Sequence, residues 1–163
     1  MFGLSKKERA REALRRGTAA ALAGAFFHPA EIEKLGLNEE ASSWIYTESL
    51  AHQLFALGIT YSNSPLANEP WATAAFFNNA VSDAITQHER ESGIGPGTIN
   101  SFSFKRLDDF IGMGRPALAD GQHFADSALK AVAKDPRADM KRISQQLKLS
   151  TEKYFQAAAK MFL

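Results

Sequence analysis

The chain has 163 residues, 45% of them hydrophobic and 23% charged, which is the balance of a protein that folds around a core and the length of one ordinary domain, residues 1–163. It has no cysteine, which excludes disulfides, thiolate metal sites and a cysteine nucleophile. With 19 basic and 18 acidic residues and a net charge of +1, it has no overall field for nucleic acid or an anionic membrane, so any such contact must be local.

The first helix is expected from Ser5, because Ser5 and Glu8 have the spacing of a capping box. Ala10, Ala13, Leu14, Gly17, Ala21, Gly24 and Ala25 recur at steps of three and four residues and form one face of small side chains. Such a face lets another helix approach closely. Packing inside the bundle is the first reading of it, and self-association into a homo-oligomer is the second. The opposite side is basic: Lys6, Lys7, Arg9, Arg11, Arg15 and Arg16 face only Glu8 and Glu12 over that run. A basic stretch followed by the apolar 18–27 imitates a leader peptide. Its length, its two glutamates and its helical pattern argue for a cytoplasmic helix instead. The apolar part is short of the roughly 20 residues that span a bilayer, and no membrane contact is expected.

His28-Pro29 should end this helix, and a short one is expected over 30–35. Asn38 is a good cap for the next, which runs to about Tyr61. Trp44, Ile45, Leu50, Leu54, Phe55, Leu57 and Ile59 cover most of its circumference, so it is expected at the centre of the bundle. After a loop over 62–68, Pro70 is expected to open a helix to about Ser92, with Trp71, Ala74, Phe77, Val81, Ala84 and His88 on one stripe and Gly93 as its stop. The glycine-rich stretch 93–101 reads as a connection. A short helix is expected from Ser103, and further helices from about Ala117 to Lys134 and from Asp135-Pro136 to about Leu147, with a last helix from Ser150. Alternation of apolar and polar residues is sustained nowhere, so strands are not expected. The fold class is therefore all-α, an irregular bundle of six to eight helices.

Four places carry candidate chemistry. Glu48 and His52 are four residues apart, and so share a helix face, within an apolar stripe. A carboxylate and an imidazole there need a partner, and can serve as an acid–base pair or as metal ligands. His88, and Asp120 with His123, are their nearest companions as ligands. Carboxylate–histidine metal sites in bundles repeat Glu-x-x-His on two helices. The spacing here is one longer and has no second copy. A polar contact within the core is the simpler reading, and no cofactor is expected.

The loop Gly93-Ile-Gly-Pro-Gly97 lacks the preceding strand, following helix and lysine of a phosphate-binding loop, so it reads as a plain connection. The basic helix offers Arg9, Arg11, Arg15 and Arg16 to a protein partner. Finally, Ile143 and Leu147, Leu149-Ser150 at a turn, and Tyr154 with Ala157 and Ala158 resemble a helix-turn-helix over 143–160. That resemblance implies a DNA-binding regulator in which Thr151, Glu152, Lys153 and Gln156 face bases and Lys160 adds charge. Lys148 stands where such motifs usually carry a turn glycine.

No serine-hydrolase elbow, zinc-protease helix, Walker loop or dinucleotide fingerprint occurs. A non-enzymatic helical protein that binds another protein, as an accessory, inhibitor or immunity-type factor, is the expectation that remains first. The DNA-binding regulator is the alternative, and an enzyme or carrier with Glu48 and His52 in a bundle cavity is the second.

Overall fold

The computed structural model describes residues 3–23, 34, 39–99 and 140–162. Among the described residues there are four α-helices and one short 3-10 turn, and no strand. The helices are α1 (Lys6–Leu22), α2 (Glu39–Ser62), α3 (Ala74–Glu91) and α4 (Met140–Met161). The expected short helix after Pro29, the caps at Asn38 and Ser103, and the helices between 103 and 139 lie outside the described residues.

The start of α1 is the expected capping box. The Glu8 N–H donates to Ser5 Oγ at 3.2 Å and the Ser5 N–H donates to Glu8 Oε2 at 2.8 Å, which satisfies two of the helix's orphan donors. The small face is buried: Ala10, Ala13, Leu14, Gly17, Thr18, Ala21 and Leu22 all turn inward. Its described part packs against neighbouring helices of the same chain, the first of the two readings of this face. Gly17 lies where two helices crowd α1. A Cβ there would overlap Leu57 Cδ1 of α2 and stand 3.3 Å from Met161 Sδ of α4. The Tyr154 hydroxyl of α4 donates to the Gly17 carbonyl at 2.9 Å, so a ring with no exposure still finds a polar partner. Burial holds this phenol well above the ordinary tyrosine range.

α2 is the central element. Every residue from Ser49 to Leu57 is buried, as an all-round apolar helix requires. Leu50, Leu54 and Leu57 are sealed in one core cluster with Leu14, Val81, Ile85, Tyr154 and Phe162. Each such aliphatic side chain contributes roughly 1.5–3 kcal/mol through burial. Tyr46 donates its hydroxyl to the Leu22 carbonyl at 2.8 Å, tying α2 to the end of α1. Rings close the far end of α2, where Tyr61 stacks on Phe77 with centroids 5.9 Å apart and tilts against Phe162 at 5.6 Å.

Two boundaries differ from expectation. Pro70 does not open α3. The Ala72 N–H donates to the Glu69 carbonyl at 2.9 Å, which places Pro70 in a turn, at the position its fixed φ favours. The helix starts at Ala74, capped by Thr73, whose Oγ1 accepts from the Phe76 N–H at 3.1 Å. Its buried set is also wider than the expected stripe: it takes in Phe76, Ala80, Ile85 and Glu89, while Ala74 is exposed.

The second difference is α4. Met140–Met161 is one unbroken helix of 22 residues, so the turn at Leu149-Ser150 does not form. Nothing from Lys148 to Thr151 breaks a helix, and Ser150 is buried in the middle of this one rather than capping another. Tyr154 and Ala158 then join the core along the same helix.

No helix among the described residues is long and apolar enough to cross a membrane.

Candidate functional site

The candidate residues of the sequence fall into separate environments. His52 lies in α2 with no exposure at all, as its place in an apolar stripe implied. Glu48 is helical one turn before it; the surroundings of the Glu48 side chain, and Asp120 and His123 altogether, are outside the described residues. Among the described residues no group of three or more histidine or acidic side chains is placed to hold a metal ion. In α4, Lys153, Gln156 and Lys160 are exposed but sit on a straight helix without the turn that would present a reading helix. The side chain of Thr151 is not described.

The four arginines of α1 are all exposed, and they do not form one patch. At 3.6 residues per turn, Arg11 and Arg15 share one flank, and Arg9 and Arg16 share the other. The first flank faces α3: the Arg11 guanidinium lies 5.8 Å from the centre of the Phe76 ring, within cation–π range. Between the flanks sits Glu12. It accepts two hydrogen bonds from Arg15, at 2.8 and 2.7 Å, and one from Arg16 at 3.1 Å. The Arg15 hydrogen bonds, then those of Arg16, pull its carboxyl down to about 2. The reciprocal bond raises Arg15 above the ordinary arginine range. Lys6 is paired with Glu69 at 2.6 Å.

Where α1 crosses α3 there is a cleft of about 90 Å³. Leu22 and Ala84, both buried, and the exposed Ala19 give it an apolar wall; Arg15, Gln87, His88 and Glu91 line the rest. Two residues picked from the sequence for different reasons, Arg15 and His88, thus meet at one place. Glu91 accepts from Gln87 Nε2 at 2.8 Å, and His88 Nε2 stands 3.5 Å from Ser92 Oγ. A broader, more open depression of about 380 Å³ adjoins the cleft through Gln87 and Glu91, along Asp83, Thr86 and Arg90 of α3. The cleft is far below the roughly 300 Å³ at which small-molecule pockets begin.

Sequence reasoning missed Glu89, a carboxylate with 1% exposure. Its Oε2 accepts from the Gly97 N–H at 2.8 Å and its Oε1 from the Ile99 N–H at 2.7 Å. The glycine loop therefore does carry backbone donors turned toward an anion, and the protein supplies the anion itself. Gly93, at φ +67°, lets the chain leave α3, and the Ile94 N–H returns to the Glu89 carbonyl at 2.9 Å in a Schellman closure. The signal was present: an acidic residue four before a glycine-rich turn, on the apolar side of its helix.

The chain matches no family model, no curated protein and no solved structure.

Proposed function

We propose that this chain is a non-enzymatic, cytoplasmic protein-binding protein, an accessory, inhibitor or immunity-type factor, folded as one irregular bundle of six to eight helices. One observation carries this reading. The chemistry-bearing side chain of α2, His52, is sealed in the core, whereas the basic side chains of α1 stand on the surface beside a cleft with an apolar wall. An arginine-rich surface beside a small hollow suits macromolecular contact better than catalysis.

The purified full chain, used as bait on native lysate with mild crosslinking and followed by size exclusion with light scattering, tests the reading. A complex of fixed stoichiometry with a second protein is expected. A strictly monomeric chain that retains no partner sinks it.

A further inference from the structure

We infer that the cleft between α1 and α3 is an anchor site for an acidic side chain of a protein partner, with Arg15 as its principal contact; this rests on the protein-binding reading above. The argument begins with size. About 90 Å³ accommodates one short side chain and no cofactor or metabolite of ordinary dimensions. The open depression beside it, along Asp83, Thr86 and Arg90, continues the surface outward, as a contact with a macromolecule requires and a buried small-molecule site does not.

Chemistry narrows the occupant. Leu22, Ala84 and Ala19 offer apolar contact for methylene groups. Of the five N–H groups of a guanidinium, Arg15 gives Glu12 one from Nε and one from Nη2, which leaves three for another acceptor. Glu12 also favours one orientation of the guanidinium, so a carboxylate meets a donor set oriented in part, and less side-chain freedom is lost on binding. Gln87 donates to Glu91, so the carboxylate in the cleft wall already has a hydrogen-bond partner.

The first half of α1 is net positive, while in the cleft itself Arg15 faces Glu91. The run from Lys6 to Arg16 carries six basic residues against Glu8 and Glu12, and only Lys6 is drawn off, by Glu69. Among the described residues the side chains of Lys7 and Arg9 have neither ion-pair nor hydrogen-bond partner. An acidic segment lying along α1 thus finds complementary charge on both flanks and a seat for one of its carboxylates at the α3 side.

The probe is a fluorescein-labelled helical peptide of glutamate and leucine, titrated with the full chain by fluorescence anisotropy at low salt. Saturable binding is expected. Ala19→Trp, which fills the cleft from an exposed position without altering charge, and Arg15→Glu should each weaken it at least tenfold while thermal midpoint and far-ultraviolet circular dichroism stay unchanged. Arg9→Glu, on the other flank, should weaken it less than threefold. The proposal is overturned if Ala19→Trp binds as the natural chain does, if the glutamine version of the peptide binds equally well, if no binding occurs at low salt, or if single-stranded DNA or phosphatidylserine vesicles bind more tightly and displace the peptide. A partner captured equally by the natural chain and by Ala19→Trp would end the cleft assignment and leave the protein-binding reading standing. Capture of nothing would end that reading too.

Discussion

On its inward side α1 presents Ala10, Ala13, Gly17 and Ala21 to the other three described helices; on its outward side it presents arginines and glutamates to water. The inward contacts are set by volume. Gly17 has no room for a methyl group, and Leu57, Met161 and Tyr154 converge on it from α2 and α4. The outward contacts are set by charge, between exposed side chains that can rotate away, and such pairs contribute little each. One helix therefore fixes the fold with one face and leaves the other free to be chosen for partners. Substitutions on the two faces should differ in kind: inward ones change stability, outward ones change binding.

The inward face gives the largest effects. Gly17→Val should destabilise by about 3 kcal/mol, since over-packing of a full core costs about 1–3 kcal/mol and the β-branched side chain must displace Leu57. Gly17→Ala gains about 1 kcal/mol of helix propensity and still has to move Leu57, leaving a net loss of about 1 kcal/mol. Urea unfolding midpoints measure both. A more stable Gly17→Ala would break the distinction between the faces, because it would show that the crossing has slack.

Next comes the glycine loop. Glu89→Ala removes the acceptor of two backbone N–H groups, and about 2 kcal/mol should be lost, the order of one or two donors left without a partner. Glu89→Gln keeps an acceptor oxygen and should lose less. Hydrogen exchange separates the local from the global part. In Glu89→Ala the amides of Gly97 and Ile99 should lose protection far more than that of Leu54, which lies in the sealed part of α2. A uniform loss would make Glu89 a general core residue rather than the clamp of this loop. Tyr154→Phe should then cost about 1 kcal/mol, because it deletes one hydrogen bond while the Gly17 carbonyl keeps its helical partner.

The legible parts of the fold were those that rest on local rules. The Ser5–Glu8 capping box, the all-round burial of α2 from Ser49 to Leu57 and the stop at Gly93 each follow from a few neighbouring residues, and each appears as read. What failed rested on choosing between two local signals. Pro70 and Thr73 both open helices, and a turn claimed the proline. Leu149-Ser150 offered a cap, but without a helix breaker the chain ran on through it, and burial of Tyr154 and Ala158 rewarded the longer helix. The cleft could not be read at all. Arg15 and His88 were each visible in the sequence, yet their meeting depends on the crossing of α1 over α3, which no periodicity encodes. Glu89 left only a partial mark, its place on the apolar side of α3 just before the glycines, since its partners are backbone N–H groups that any residue type can supply.

The smallest expected effect is on the outward face, at Glu12. Its carboxyl is partly exposed and held at about 2, against an ordinary 4.5, first by the hydrogen bonds from Arg15; Glu8 is also lowered, chiefly by its bond with Ser5. A carboxyl whose value falls on folding contributes stability that is complete above its unfolded value and is lost as pH drops toward its folded one. For Glu12 that window runs from about 4.5 down to about 2. Exposure and salt screen the contribution, so Glu12→Gln should leave the urea midpoint at pH 7 within error of the natural chain. The difference belongs in the binding assay instead: with Glu12 gone, Arg15 loses the carboxylate that orients it. The acidic peptide should then gain from the added net positive charge while losing selectivity, so that Ala19→Trp weakens binding less in the Glu12→Gln background than in the natural one. An undiminished effect of Ala19→Trp would mean that the cleft orders its own arginine, and that the charge on the outward face only draws the partner in.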